Sequence, residues 1–146
     1  MRKPLAGVKV IEVSMWAFVP TAGGILADWG ADVVKIESPN GDPMRGLRSW
    51  GMAPGTHGFT LTWDVYNRGK RDIVIDLKAP GAAELIYKLV AKADVFLVSL
   101  LPPARRKMRI DVEDIRPIGR ITLVPCWWSD EMGIMQEEGP CKSGSV

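Results

Sequence analysis

The sequence predicts an α/β fold of the Rossmann-like type, a mostly parallel sheet with flanking helices. Two strand-like runs, Val8–Val13 and Asp32–Glu37, enclose a helix-like segment over Pro20–Ala31. A strand, a helix and a second strand in succession are typical of a right-handed βαβ crossover. A later run, Asp94–Leu101, is almost continuously apolar, as expected of a parallel strand that is covered on both faces.

The first predicted helix carries Ile25, Leu26 and Trp29 at helical spacing. Gly23 and Gly24 lie in its middle, and each lowers helix propensity by about 1 kcal/mol relative to alanine. Such a cost is compensated where the backbone must approach another group closely. We therefore expect this helix to pass close to the sheet or to a ligand at the two glycines.

The segment Ser38–Asn67 interrupts the alternation of strands and helices. It is rich in proline and glycine and predicts a long irregular excursion, which in a compact domain is usually functional or disordered. Three large aromatic residues, Trp50, Phe59 and Trp63, favour a packed loop over a disordered one.

Regular structure is predicted again after this excursion. Two prolines, Pro102 and Pro103, are expected to end the fourth strand, and Asp111 is expected to cap a short helix with Asp114 in the capping-box position. The predicted elements of this half are a strand at Asp72–Leu77, a helix at Pro80–Ala93, a strand at Asp94–Leu101, a short helix from Asp111 to Arg116 and a strand at Ile121–Val124.

Length and charge limit the function classes. The chain has 146 residues, the size of one domain, and 19 basic against 17 acidic residues give a formal net charge of +2. That balance argues against a nucleic-acid-binding protein, so any anion site must be local. No apolar run approaches the roughly 20 residues of a membrane-spanning helix, and the N-terminus does not resemble a signal peptide. We expect a cytoplasmic protein with no membrane and no nucleic-acid partner.

The metal-binding and redox residues are few. Cys126 and Cys141 have no second pair and no nearby histidine, so the sequence predicts two reduced thiols and no metal site. His57, the single histidine, has no nameable nucleophile or orienting carboxylate beside it, and a loop histidine without a chemical role is the better interpretation. Asp42 and Arg45 are expected to form an ion pair that organises their loop.

Known nucleotide-binding motifs are missing from the sequence. The first strand is not followed by G-x-G-x-x-G, and Gly69-Lys70-Arg71 precedes a strand and lacks the upstream glycine and the downstream Ser/Thr of a P-loop. Two basic stretches are left as candidates for phosphate contact. The first, Arg68, Lys70 and Arg71, is either a phosphate site or the solvated beginning of a strand. The second comprises Arg105, Arg106, Lys107 and Arg109, for which a solvated helix face and a phosphate clamp are equally favoured.

Ligands of parallel sheets bind at the carboxyl ends of the strands. The residues that follow the predicted strands therefore form the candidate crevice. They are Ser14, Met15, Trp16 and Ala17 after the first strand, Ser38 and Pro39 after the second, Asp76, Leu77 and Lys78 at the end of the third, and Ser99, Leu100 and Leu101 at the end of the fourth.

Several segments together resemble one known family. The stretch PLAGVKVIEVSMWAFVPTAGGILADWGADVVKIESPNGDPMRG and the later YNRGKRDIVIDLKAPGAAELIYKLVAKADVFLVSLLPPARRKMRID are similar to the N-terminal part of the family III CoA-transferases. This family, the CaiB/BaiF type, also includes the α-methylacyl-CoA racemases. The similarity runs from Pro4 to Val124. It implies a Rossmann-like domain that binds coenzyme A, in a family of far longer chains that form interlocked homodimers.

The resemblance also implies which residues contact coenzyme A. Lys107 and Met108 match a basic–apolar pair of the family, which favours the phosphate clamp, and Asp76 with Lys78 replaces Arg68–Arg71 as the expected nucleotide contact. Ser38 stands where some members have arginine, and Ser99 and Leu100 replace an asparagine and an aromatic residue. The implied coenzyme-binding residues are Met15, Trp16, Ala17, Ser38, Ile75, Asp76, Leu77, Lys78, Ser99, Leu100, Lys107 and Met108.

The family chemistry implied by the resemblance uses groups beyond the matching region. In the transferases an aspartate attacks the acyl-CoA thioester, and coenzyme A then passes to a carboxylic acid through an enzyme-bound thioester. That aspartate, and the histidine of the racemases, lie past the matching region, so no catalytic residue is named here. Residues 1–124 are predicted to be the coenzyme A-binding part and 125–146 a divergent tail, as in a truncated or partial chain.

Three functions stay open at this point. The first is a CoA-transferase acting on acyl-CoA and a small carboxylic acid, as a homodimer or with a complementary chain that carries the missing portion. The second is a racemase-like protein, and the third is a non-catalytic coenzyme A-binding remnant.

Overall fold

A computed structural model describes residues 3–47, 51, 60–118 and the backbone of 122–125. Its centre is a five-stranded sheet in which every pair of neighbours is parallel. The strands are β1 (Lys9–Val13), β2 (Asp32–Glu37), β3 (Arg71–Val74), β4 (Val95–Val98) and β5 (Thr122–Pro125). The predicted α/β class with a parallel sheet is therefore confirmed.

Five α-helices of the described chain lie between successive strands. They are α1 (Phe18–Asp28), α2 (Leu61–Asn67), α3 (Ala82–Val90), α4 (Pro102–Lys107) and α5 (Val112–Ile115), with 3-10 turns at Pro43–Gly46 and Arg116–Ile118. Among the described residues, no helix is both long enough and apolar enough to cross a lipid bilayer.

The strand order is β3-β2-β1-β4-β5, so the chain reverses its direction of travel across the sheet between β3 and β4. In register, Val10 of β1 lies between Val33 of β2 and Val95 of β4. The reversal leaves a crevice at the carboxyl ends of β1 and β4, where connections leave in opposite directions. The topology thus places the ligand edge next to Met15 and Ser99.

Alternating side chains of the strands form two cores, one on each face of the sheet. On one face Val10, Val33 and Leu97 pack with Val19 and Ala27 of α1. The other face, with α3, α4 and α5, buries a larger cluster. It comprises Ile11, Val13, Ile36, Ile86, Val90, Phe96, Val98, Ile110 and Ile115.

Helix α1 makes the close approach that its two glycines predict. A Cβ on Gly23 would lie 1.8 Å from Oε2 of Glu12, a side chain of β1. A Cβ on Gly24 would lie 2.9 Å from the backbone oxygen of Tyr66 in α2. The glycines therefore let α1 lie against a carboxylate of the sheet on one side and against α2 on the other.

The middle of the chain is more regular than the sequence predicts. The expectation of an irregular excursion over Ser38–Asn67 is wrong at its end, where α2 forms. The segment LTWDVYN is short and contains the β-branched Thr62 and Val65, so its helical propensity is low. Packing against α1 stabilises it instead. His57, Trp50 and Phe59 lie outside the described residues.

Two prolines have roles that differ from the predicted ones. Pro102 does not simply stop β4; it opens α4, where its fixed φ and missing N–H suit the first turn. Pro125 belongs to β5, one residue past the predicted end of that strand. The capping box at Asp111 and Asp114 is confirmed. Residues 126–146 lie outside the described part, and the divergent tail over 125–146 stays a prediction.

Candidate functional site

A cavity of about 90 Å³ opens at the carboxyl ends of β1 and β2. Its lining combines residues at the ends of four strands, β1 to β4, with Met108 from the end of α4. Seven of the residues predicted to bind coenzyme A line it: Met15, Ser38, Asp76, Leu77, Lys78, Leu100 and Met108. The sheet topology therefore brings together most of the predicted set.

A second, more open depression of about 260 Å³ lies beside the first, between the start of α3 and the end of α4. Leu77, Lys78 and Met108 line both cavities, so the two form one continuous surface. The second also receives Lys107 and Arg109. Three cationic side chains thus border this part of the surface, together with the carboxylate of Glu84.

Four predicted residues, Trp16, Ala17, Ile75 and Ser99, line neither cavity. Ser99 Oγ accepts a hydrogen bond of 3.1 Å from the backbone N–H of Met15, so it shapes the turn after β1. Ala17 is the N-cap residue of α1. Ile75 packs against the core on the face of α3. Their contact with coenzyme A stays a prediction.

Trp16 has an uncommon backbone conformation. Its φ is 68°, in the left-handed region that costs a residue with a Cβ about 1–2 kcal/mol. Trp16 is 40% exposed. The backbone N–H of Trp16 donates to Oδ1 of Asp42 at 3.1 Å. Asp42 therefore helps to hold the strained turn after β1.

A buried lysine connects this turn to the loop after β2. Lys35 is fully buried, and its ammonium donates to the backbone oxygen of Ser14 at 3.1 Å and to Oδ2 of Asp42 at 2.9 Å. Glu12, directly opposite Lys35 in the register of β1 and β2, lies 3.7 Å from the same ammonium. These buried charges at the ligand edge were not predicted from the sequence.

The carboxylate of Glu12 is shared by two lysines and a serine. The ammonium of Lys70 approaches its Oε2 to 2.9 Å, and Ser14 Oγ donates to its Oε1 at 2.5 Å. Lys70 also donates to Pro20 O and to Asn67 Oδ1. Burial lowers the pKa of the Lys70 ammonium, and the neighbouring Glu12 carboxylate opposes that shift. The sequence did contain a sign of these buried charges, because Glu12 and Lys35 interrupt the apolar runs of their strands.

The first basic stretch is engaged within the protein. Arg68 pairs with Asp28 at 2.5 Å, Arg71 pairs with Asp32 at 2.6 Å, and Lys70 is buried against Glu12. None of these three cations lines either cavity described above. Of the two interpretations of this stretch, the geometry favours a structural one, in which the cations attach α2 to α1, and β3 with the turn before it to β2 and β1.

The expected ion pair between Asp42 and Arg45 is wrong. Arg45 instead binds Glu37 at 2.9 Å and Asp72 at 2.8 Å, and its guanidinium lies 3.4 Å from the ring centroid of Trp63. The reason is that Lys35, buried beneath the loop, takes the carboxylate of Asp42. Arg45 therefore links the loop to β2, β3 and α2.

The second basic stretch divides between structure and site. Arg105 is 4% exposed, and its guanidinium pairs with Asp111 at 2.9 Å, so it lies neither on a solvated face nor in a clamp. Lys107 and Arg109 do line the open depression, and Arg109 also contacts Glu84 at 3.1 Å. The structural role thus applies to Arg105, and the phosphate clamp stays a prediction for Lys107 and Arg109.

Comparison with known proteins gives matches over the same part of the chain. The model of CoA-transferase family III matches residues 5–123. Succinate–glutarate CoA-transferase of Agrobacterium fabrum is 38% identical over 79% of this chain and 30% of its own length. Cinnamoyl-CoA:phenyllactate CoA-transferase of Clostridium sporogenes is 36% identical over 76% of this chain and 27% of its own length.

Solved structures agree with these matches. A CaiB/BaiF family protein from Brucella suis superimposes with a TM-score of 0.73 at 33% identity, covering 84% of this chain and 33% of that one. A hypothetical protein from Mycobacterium tuberculosis gives a TM-score of 0.76 at 28% identity, covering 86% and 34%. The chain thus spans about a third of the length of these relatives or less. With its family model matched over most of its length, this chain belongs to CoA-transferase family III.

Proposed function

We propose that this chain forms the coenzyme A-binding part of a CoA-transferase that moves coenzyme A between an acyl-CoA and a small carboxylic acid. The observation that carries the proposal is the continuous surface at the carboxyl edge of the sheet, where Lys78 and Lys107 lie beside the apolar side chains of Leu77 and Met108. The relatives reported above are CoA-transferases, which favours transfer over racemisation.

The two cavities suit the two chemically different ends of coenzyme A. The open depression, with Lys78, Lys107 and Arg109 at its border, suits the phosphates of the nucleotide end. The narrower cavity, with Met15 and Leu100 in its wall, suits the thin and less polar arm that carries the thiol. In this arrangement Ser38 and Asp76 supply polar contacts between the two ends.

The chain is proposed to bind the coenzyme, and none of its residues is assigned to the acyl-transfer step. Two carboxylates of the narrow cavity, Glu37 and Asp42, are held by Arg45 and Lys35, which makes them structural groups. A third, Asp76, accepts a hydrogen bond from the backbone N–H of Lys78. We propose that the attacking carboxylate is none of these three, because the resemblance to the family places it past the matching region.

A partner chain that supplies the attacking carboxylate would complement the coenzyme binding proposed for this chain. Succinyl-CoA–L-malate CoA-transferase of Chloroflexus aurantiacus has an alpha and a beta subunit, and both are similar to this chain. We propose that transfer requires a second copy or a complementary chain. If this chain binds coenzyme A and no such partner restores transfer, a non-catalytic coenzyme A-binding protein is the remaining function.

Coenzyme A binding is the direct test. Isothermal titration calorimetry with 1 mM coenzyme A should show saturable binding. At a concentration 100 times the Kd, the ligand should stabilise the chain by about 2.7 kcal/mol in thermal unfolding. The absence of both heat and a stability shift would contradict the proposed function.

A pair of variants locates the site. Lys78→Ala should weaken coenzyme A binding without changing the fold, because Lys78 is an exposed side chain that borders both cavities. Lys92→Ala removes the same charge from the exposed turn between α3 and β4, at the opposite end of the sheet, and should leave affinity unchanged. Equal effects of the two substitutions would place the coenzyme elsewhere.

A further inference from the structure

We propose that Lys35 and Asp42 are positioning residues, which preset the turn after β1 for the coenzyme. This inference rests on the proposed function, because the turn is where the predicted ligand surface begins. Neither residue was among those predicted to contact the coenzyme. Both are at least nine-tenths buried, with exposures of 0% and 3%.

The turn after β1 needs support from groups outside it. Trp16 adopts a φ of 68°, which an isolated residue with a Cβ avoids. The side chain of Trp16 is exposed, so hydrophobic burial compensates only part of this cost. Such a conformation persists when neighbouring groups over-determine it.

Side chains from β2 and from the segments after β2 and β4 support the turn. They hold three successive residues: Ser14 O is bound by Lys35, the N–H of Met15 by Ser99, and the N–H of Trp16 by Asp42. Because each contact comes from a different part of the chain, the turn is fixed relative to the ends of β2 and β4 together.

Lys35 and Asp42 also hold the loop after β2, which forms the other wall of the narrow cavity. Asp42 accepts from the N–H of Met44 at 2.9 Å, and its own N–H donates to Glu37 at 3.1 Å. Met15 and Gly41 therefore face the same cavity from two walls joined by one buried ion pair. A ligand that needs both walls finds them already in place, which lowers the entropy cost of binding.

The test replaces Asp42 by alanine. Alanine has no acceptor oxygen, so Lys35 and the N–H groups of Trp16 and Met44 all lose this partner. In the unliganded protein we expect the Trp16 amide to exchange its hydrogen about tenfold faster, the size of one lost hydrogen bond. Coenzyme A affinity should fall about tenfold or more.

Two further variants separate positioning from stability. Asp32→Asn removes a carboxylate from an exposed ion pair at the amino end of the sheet and should change neither measurement. Lys35→Met combined with Asp42→Ala also removes the buried ammonium that has lost this partner, so the melting temperature should partly recover. Affinity should stay low in this double variant, because Ser14 O still lacks its donor.

The outcomes decide between the alternatives. If affinity returns together with stability in the double variant, or if exchange at Trp16 is unchanged by Asp42→Ala, the positioning role is wrong. If the unchanged protein does not bind coenzyme A at all, the proposed function fails. The exchange measurement in the unliganded protein still decides whether Asp42 holds the turn.

Discussion

At the scale of single residues, the buried charges of β1 and β2 decide how the ligand edge is built. Glu12 and Lys35 face each other across two strands, and Lys70 reaches the same carboxylate from the turn after α2. Buried charges are tolerated when each has partners, and removal of one partner leaves an uncompensated charge. The stability of this region therefore depends on close contacts that leave no room for extra atoms.

Gly23→Ala tests that lack of room. The new Cβ would lie 1.8 Å from Oε2 of Glu12 and 3.0 Å from Nζ of Lys70, so the carboxylate must move or α1 must shift. We expect a loss of about 2–4 kcal/mol in the free energy of unfolding, although alanine favours helices by about 1 kcal/mol. Urea denaturation measures it. Ala22→Ser, at an exposed neighbour, should cost less than about 1 kcal/mol.

Asp72 gives a prediction for pH. Burial, followed by the neighbouring Glu37 carboxylate, raises its pKa above the ordinary 3.8, although Arg45 opposes this shift. Arg45 donates two hydrogen bonds to Glu37 and only one to Asp72. Its attraction for the Asp72 carboxylate therefore does not outweigh the effects of burial and of Glu37 on the pKa of Asp72. The folded state therefore holds this proton more tightly than the unfolded state.

The sign of the pH effect follows from proton binding. The stability contributed by protonated Asp72 is fully present below pH 3.8 and is lost as pH rises through the folded pKa. As pH rises over that interval, the natural protein should therefore lose unfolding free energy relative to Asp72→Asn. Denaturation of both proteins between pH 3 and pH 7 measures this, and a difference that shifts the other way would contradict the assignment.

At the scale of elements, short helices acquire their stability from contacts with other parts of the chain. Helix α2 has seven residues and α5 has four, too few for isolated helices in water. α2 lies against α1, whereas α5 depends on its capping box and on the pairing of Asp111 with Arg105. This dependence explains why α2 was missed, while the capping residues of α5 were visible in the sequence.

Substitution of Asp111 separates the cap from the ion pair. Asp111→Ala removes the side-chain cap and leaves the buried Arg105 without this carboxylate, so a loss of about 2–4 kcal/mol is expected. Asp111→Asn keeps an N-cap oxygen and should lose less. Urea denaturation of both variants gives the comparison, and equal losses would show that the cap contributes nothing measurable beside the ion pair.

At the scale of the whole molecule, a small net charge hides a local cluster of positive charge. The chain carries only +2 overall, yet Lys78, Lys107 and Arg109 border one depression. The charges of Arg68 and Arg71 are instead matched by nearby carboxylates. Attraction of a polyanionic ligand should therefore come from one edge of the sheet and not from the protein as a whole.

Salt dependence checks this distribution. Coenzyme A affinity should fall as ionic strength rises from 50 to 500 mM. Salt weakens the attraction between exposed charges, and the screening length is about 10 Å at 0.1 M and shorter at higher salt. Lys107→Ala should reduce the slope of affinity against salt, and Lys92→Ala should not. An affinity that does not depend on salt would mean that the lysines do not contact the phosphates.

The sequence by itself determined the α/β class, the parallel sheet and the edge where the candidate residues meet. Local patterns suffice for these, since apolar runs, helical spacing and the strand-end rule depend on neighbours in sequence. The close approach at Gly23 and Gly24 was foreseen for the same reason: a poor helix former in a helix needs compensation.

Only the tertiary structure decided which charges are partners. Asp42 pairs with Lys35 and not with Arg45, Arg105 is buried against Asp111, and Lys70 meets a carboxylate 58 positions away along the chain. Charged side chains of similar type are equivalent in a sequence pattern, and the Coulomb energy that selects among them depends on distance and burial. Those quantities are set by the order β3-β2-β1-β4-β5 and by its registers, which exist only in the folded chain.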